Sequence, residues 1–358
     1  MSNGTKIEWT DEVWNPVTGC TKAGPGSGCK NCYAEREWVR LSHNPKTVYF
    51  GRKFTDVSCH PERLDHPLRW TRPRMIFVNS MSDLFHDDVP YDFILDIFMV
   101  MAAASEHTFQ VLTKRPERMR QFMSHITQNP MPNDVWEASL NRARWFDDAD
   151  GMHDFILQQI KRGFPNVWLG VSIEDQETAD LRIPILLDTP AAIRWISAEP
   201  LLGPVDLERT LWFAPHDGHL EHRVDVLRGG YWNRAPHIMG APSAGIGDPK
   251  GGFTNHSDMP STLDWVVVGG ESGHKARPMH PDWVRSLRDQ CGTAGVPFLF
   301  KQWGEWCPSD QPHMEAILSG TDAIYDKPDT MRRVGKKSAG RLLDAKLWDN
   351  YPNGGFQK

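Results

Sequence analysis

Apolar residues along the chain fall into short runs separated by longer stretches of helical period. The runs at 75–79 (MIFVN), 108–113 (TFQVLT), 166–172 (NVWLGVS), 192–198 (AIRWISA), 264–270 (DWVVVGG) and 297–303 (PFLFKQW) are rich in β-branched and aromatic residues. Each is bounded by turn-forming or charged positions, so each predicts a strand. Between several of them the spacing predicts helices: 91–105, opened by Pro90 with Asp87 or Asp88 as its cap, then 115–123, 151–162, 175–187 and 281–294. Strand, helix, strand at this interval is the pattern of parallel βαβ units. With one more strand ahead of residue 20, six or seven units are present, which predicts an α/β barrel or partial barrel.

Two segments interrupt the rhythm. Residues 124–150 read as a loop-and-helix insertion. Residues 208–262 are rich in Gly, Pro and His without clear period, as in a lid or binding loop. The last 50 residues are polar, with a basic run at Arg332, Arg333, Lys336 and Lys337. The barrel is therefore expected over 1–307, followed by a C-terminal extension, 308–358. A length of 358 residues suits either two ordinary domains or one long α/β barrel.

Composition narrows the class. Hydrophobic residues are 39% and charged residues 24% of the chain, which is globular and well supplied for a core. Forty basic against 46 acidic residues give a net charge of −6, so there is no globally basic surface. Nucleic-acid contact would need a local patch. Arg69, Arg72 and Arg74 before the second strand, with Lys114, Arg115, Arg118 and Arg120 after the third, are either such a phosphate-contacting rim or a solvated face. The most apolar run, Phe93 to Ala104, contains Asp96 and falls short of the ~20 residues a membrane span needs. The first residues carry no apolar signal core, so a cytoplasmic protein without a membrane partner is expected.

Three of the six cysteines, Cys20, Cys29 and Cys32, crowd into thirteen positions. In a reducing compartment such a group suits a metal or a cluster better than disulfides. The eight residues between the first two (TKAGPGSG) carry three glycines and a proline, so the chain can wrap a compact object. Three thiolates suit a [4Fe–4S] cluster with one iron left unligated by protein. A structural zinc needs a fourth ligand, for which Cys59 or His60 is at hand. The cysteines alone leave both open. In a βα barrel functional groups gather at the C-terminal ends of the strands. There the chain places Ser80-Met81-Ser82-Asp83, Thr113-Lys114-Arg115, Ser172-Ile173-Glu174-Asp175 and Ala198-Glu199-Pro200. The run Gly269-Gly270-Glu271-Ser272-Gly273 is either an anion-binding turn or a tight turn needing φ > 0. Trp14, Trp70, Trp303 and Trp306 read as core residues, with base stacking as the sharper alternative. His216, His219, His222, His237 and His256 are irregularly spaced and read as a solvated loop.

The cysteine loop running into Cys32-Tyr33-Ala34-Glu35, together with these strand ends, resembles the radical S-adenosylmethionine (SAM) superfamily, and within it the branch of spore photoproduct lyase. The chain also resembles, over nearly its whole length, a phage-associated family with this three-cysteine motif, through WTDEVWNPVTGC, VVGGESG and GRLLDAKLWDNYP. The superfamily implies a partial (βα)6 TIM-like barrel. Cys20, Cys29 and Cys32 would hold a [4Fe–4S] cluster whose open iron is chelated by SAM. The implied chemistry is reductive cleavage of SAM, fed by an external electron donor, with hydrogen abstraction from a nucleic acid or nucleotide. Ser82, Lys114 and Ser172 match positions that contact SAM, and Tyr33 would set its backbone against the adenine. Asp83 and Glu199 complete the candidate cofactor contacts. The rival reading is a zinc-stabilised nucleic-acid-binding protein without catalysis. Two departures from the superfamily stand out. The first two cysteines are eight residues apart rather than three, and Asn31 replaces the usual aromatic before the last one. In the lyase branch a cysteine two residues before the serine matching Ser82 donates hydrogen to thymine. Here that position is Ser80, whose O–H bond is too strong for the task, so thymine-dimer repair by that route is not expected.

Overall fold

The structure, a computed structural model, describes residues 5, 7–24, 26, 28–142, 149–213, 222–232, 253–254, 261–311 and 331–352. Seven strands form one open sheet: β1 (Glu12–Trp14), β2 (Met75–Val78), β3 (Thr108–Thr113), β4 (Val167–Ile173), β5 (Ile193–Ala198), β6 (Trp265–Gly269) and β7 (Phe298–Gln302). They lie side by side in chain order. This is the mixed α/β arrangement expected of a partial TIM-like barrel. Helices α1 (Tyr33–Leu41), α2 (Tyr91–Ala103), α3 (Pro116–Ile126), α4 (Asn133–Arg142), α5 (Ala149–Lys161), α6 (Gln176–Leu187) and α7 (Pro281–Ala294) connect or decorate them. Strands β2, β4 and β6 are buried at every position. Parallel sheets covered on both faces have that composition, and it is why these runs are continuously apolar.

The chain divides into two compact units, Met1–Pro25, Cys29–Ser172 and Thr189–Arg194 in one, and Gly26–Gly28, Ile173–Asp188 and Trp195–Lys358 in the other. In the first, β1, β2, β3 and β4 pair in parallel, with Val13 opposite Phe77, Ile76 opposite Phe109 and Val111 opposite Leu169. Helix α2 buries Phe93 through Ala102 save Asp96, and Phe98 meets Phe122 and Phe164 at ring distances of 5.1 and 5.2 Å. In the second unit β5, β6 and β7 pair in parallel, with Trp195 opposite Trp265 and Val267 opposite Leu299. The last described residues run along β7: Phe300 N–H donates to Trp348 O and Asn350 N–H to Phe298 O.

Three sequence expectations change here. Helix α2 has no side-chain cap; Pro90 itself is the N-cap, with φ −59°, while Asp87 and Asp88 are exposed. The proline ring already fixes the dihedral from which a helix starts. Residues 208–262 contain four short strands, Thr210–Phe213, His222–Val224, Tyr231–Trp232 and Phe253–Thr254, in one antiparallel sheet. Strands this short leave no period to read; His216, His219, His237 and His256 lie outside the described residues. Helix α1 was not foreseen, because four of its nine residues are charged and its apolar side is narrow. Ala34 and Trp38, one turn apart, are its buried side, and Trp38 packs edge-on to Tyr49 and Phe54. Among the described residues no helix is long and apolar enough to cross a membrane.

Candidate functional site

The segment after β1 is pinned to the segment after β2. Gly19 N–H donates to Met81 O at 3.2 Å and Cys20 N–H to Phe54 O at 2.9 Å. Asn15 Oδ1 accepts from Ser80 Oγ and Met81 N–H, and Asn79 Oδ1 accepts from Val17 N–H. Gly19 has φ +91°, and a Cβ there would lie 2.5 Å from Asp56 O. A side chain cannot fit, so the residue before the first cysteine must be glycine.

Asp83 ties Cys20 to the end of β3. One carboxylate oxygen accepts from Thr113 Oγ1 (2.7 Å) and Phe85 N–H, the other from Lys114 N–H and Arg115 Nη1, each at 3.1 Å. Arg115 Nη1 also points to Cys20 Sγ at 3.9 Å, and its Nη2 donates to Thr21 O at 3.1 Å. His86 Nδ1 accepts from Asp88 N–H, so its Nε2 carries the proton and donates to Thr21 Oγ1 at 2.7 Å. Burial and then Arg115 hold His86 below its ordinary pKa. Asp83 is therefore a buried hub of the loop rather than a free cofactor contact. Arg115 and His86, absent from the sequence-derived site, are the residues that clasp the loop. Their signal was adjacency alone: Arg115 follows Lys114, and His86 closes the turn that Asp83 opens.

Cys32 is the N-cap of α1 and packs beside the Trp38 cluster. Burial raises its pKa, while the amides of Glu35 and Ala34 pull it down, as a helix N-terminus does for a thiolate. Burial, then the charge of Asp83, pushes Cys20 up to about 12. The charge of Cys32 also raises Cys20, and that of Cys29 raises Cys32. Among the described residues no three His, Cys, Asp or Glu side chains are gathered as a single ion would require. His60 cannot supply zinc with a fourth ligand: its Nε2 meets Thr18 Oγ1 at 2.7 Å and its Nδ1 meets Glu62 at 3.2 Å. Cys59, held in a two-residue strand pair with Val17–Thr18, is raised by burial. The donor types present, three thiols with amide donors at Cys32 and a guanidinium at Cys20, are of the kind an iron–sulfur cluster takes.

The structure brings Lys114 and Ser172 together, Nζ donating to Oγ at 2.5 Å. Ser82 Oγ donates to Val17 O at 2.9 Å, which leaves its lone pairs to accept. The Tyr33 hydroxyl donates to Ser80 O, fixing the residue after Cys32 against the same turn.

In the second unit the strand ends carry matched pairs of opposite charge. Glu174 after β4 pairs with Arg182 at 3.0 Å. Glu199 after β5 receives Lys301 Nζ on both oxygens at 2.9 Å. Glu271 after β6 is held by Arg277 through N–H, Nε and Nη2. Glu199 is thus an ion-paired loop carboxylate. The turn after β6 is not left-handed at Gly269 or Gly270; of its glycines Gly273 is, with φ +105°. Gly270 is required for another reason: a Cβ would stand 1.9 Å from Trp303 O.

The basic residues that suggested a phosphate rim are mostly spent within the chain. Arg69 pairs with Asp65, Arg74 with Glu12, Arg115 with Asp83 and Arg120 with Glu117, while Arg118 donates to His86 O and Val89 O. Arg72 is exposed. Trp14 and Trp303 are core residues, with indole N–H groups donating to Arg63 O and Leu342 O.

Fold and site together define an α/β protein with a cysteine loop at the strand ends of a parallel sheet. The chain belongs to the family described as Protein of unknown function (DUF5131), which matches residues 4–352. No curated protein matches it. Among solved structures it is similar to a cysteine-to-serine variant of spore photoproduct lyase, at 12% sequence identity and a TM-score of 0.32, over 55% of this chain and 47% of that one. The chain spans about half the length of that lyase, a likeness too slight to bear on mechanism.

Proposed function

We propose that this chain is a radical SAM enzyme that holds a [4Fe–4S] cluster on Cys20, Cys29 and Cys32 and acts on a nucleic acid or nucleotide. The observation that carries the reading is a loop of three thiols in the unit that joins Lys114 to Ser172, with Arg115 reaching both Cys20 and the Asp83 carboxylate beside it. Together with an external electron donor, the bound cluster would supply the electron that cleaves SAM to methionine and a 5′-deoxyadenosyl radical.

Three protein thiolates leave one iron for the amino and carboxylate groups of SAM. The Lys114 ammonium, steadied by Ser172, is the cation suited to the methionyl carboxylate. Ser82, with its proton given to Val17 O, accepts from an amino or ribose hydroxyl group. Asp83 and Arg115 keep Cys20 and the Lys114 amide in register without touching SAM. The nucleic-acid class of substrate comes from the sequence resemblance; the basic residues that also suggested it are engaged within the chain. Ser80 Oγ donates to Asn15 Oδ1 at 3.2 Å and is no hydrogen-atom donor, so restoration of thymine from spore photoproduct is not expected.

The test is turnover of SAM. Anaerobically reconstituted protein with a reductant is expected to form methionine and 5′-deoxyadenosine, and the Cys32→Ala protein none. Intact SAM in iron-loaded, reduced wild-type protein would contradict the assignment.

A further inference from the structure

The long spacing between Cys20 and Cys29 has a seat in the fold. Thr178 and Arg182, four residues apart, share one face of α6, and Glu174 stands two residues ahead of the helix, before the extended N-cap Asp175. The Thr178 hydroxyl accepts from the amides of Glu174 and Asp175, and Asp175 caps the helix, so the start of α6 is rigid. Arg182 bonds Glu174 at 3.0 Å, with both side chains essentially without solvent exposure, 2% and 0%. Taking such a pair out of water costs several kcal/mol per ion, so its place in the fold needs a reason beyond stability.

The tip of the cysteine loop lies on this pair. A Cβ on Gly28 would come within 2.2 Å of Glu174 Oε1 and 2.7 Å of its Cγ. On Gly26, with φ +110°, it would meet Thr178 Cγ2 at 2.7 Å and Glu174 Oε2 at 2.9 Å. On Gly24 it would meet nothing within 4 Å. Two of the loop's three glycines are therefore pressed against Glu174, whose carboxylate Arg182 keeps from swinging aside. Cys29 is the residue directly after Gly28.

Resting on the iron–sulfur reading above, we infer that Glu174 is a positioning residue for Cys29. The Glu174–Arg182 pair is the seat on which Gly26 and Gly28 rest, and Cys29 is joined to that seat through Gly28.

The test compares Gly28→Ala, Gly24→Ala, Glu174→Asp and the double variant Gly28→Ala/Glu174→Asp. Two readouts are used: iron and sulfide per chain after reconstitution, and the iodoacetamide alkylation rate of Cys29 relative to Cys20 in metal-free protein. Gly28→Ala is expected to lose most of its iron and to alkylate at Cys29 about tenfold faster, an opening easier by roughly 1.4 kcal/mol. Gly24→Ala meets no atom but strains the backbone at φ +20°, so it should lose less iron and open Cys29 less than Gly28→Ala. Shortening the acid by one methylene in the double variant should restore part of each, which a merely structural glycine would not do. If Gly28→Ala does not fold, Glu174→Asp alone carries the test, with faster Cys29 alkylation expected. Equal behaviour of the Gly28 and Gly24 variants, absence of any rescue, or unchanged alkylation in Glu174→Asp would overturn the inference. Wild-type protein that takes no iron but shows the Gly28-dependent alkylation would refute the cluster and leave the seat standing.

Discussion

Two glycine-rich segments follow strands of the sheet, and they put glycine to different use. At Gly26 and Gly28 the absent side chains make room for other side chains, Glu174 and Thr178. At Gly270 and Gly304 they make room for backbone: a Cβ on Gly270 would meet Trp303 O at 1.9 Å, and one on Gly304 would meet Glu271 O at 2.1 Å. A side chain keeps some rotamer freedom, which at Glu174 the bond to Arg182 limits; a backbone carbonyl just past a strand end has less. The first segment therefore tunes a site, and the second holds the fold. The same division runs through the strand-end acids, where Glu199 and Glu271 close salt bridges while Asp83 organises the cysteine loop.

The sharpest break between the two is Gly270→Ala. Forcing a methyl against Trp303 O should destabilise the protein by about 3 kcal/mol or more, or prevent folding, by overpacking. Thermal melting at the wild-type temperature would show that the backbone contact is not needed. Next come the thiols. Cys29→Ala should lose all bound iron with its melting temperature nearly kept, whereas Cys307→Ala, at a buried thiol pushed up to about 12 by burial, should keep its iron. Iron retained in Cys29→Ala would remove that residue from the ligand set. Lys114→Met should weaken SAM binding by roughly 1.5–3 kcal/mol, about 10- to 150-fold, through loss of a charge-assisted contact. Unchanged affinity by calorimetry would exclude Lys114 as the carboxylate partner.

The smallest effect concerns pH. Burial holds His60 below its ordinary value of 6.5, so the native state favours the neutral ring. Its contribution to stability is full above pH 6.5 and is lost as the pH falls from there toward the lowered folded value. Denaturant melts of His60→Gln between about pH 7.5 and about pH 5, over which the protonated-to-neutral ratio of an ordinary imidazole rises from about one-tenth to about thirty, should decline less with acid than wild type. A steeper decline would reverse the sign.

Periodicity made the sheet legible because its strands are apolar throughout and its helices amphipathic; Thr108–Thr113 and Pro281–Ala294 lie where the pattern put them. Helix α1 was hidden because one buried tryptophan and one alanine make a faint stripe among charges. The short strands after residue 208 were hidden because two to four residues hold no period. At the site, Lys114 and Ser172 stood out only as strand-end residues that the resemblance made cofactor contacts; their hydrogen bond to one another was not read. The clasp by Arg115 and the seat under Gly28 were not read either, since each depends on residues far apart in sequence. Nothing in a run of residues says that Arg115 will reach Thr21, or Glu174 Gly28.

The central claim is that the three thiols of the first unit hold iron. Protein purified without oxygen should be brown, with about four iron and four sulfide per chain and a reduced-state paramagnetic signal, all lost in Cys29→Ala. Colourless protein carrying one zinc per chain and no sulfide would contradict it.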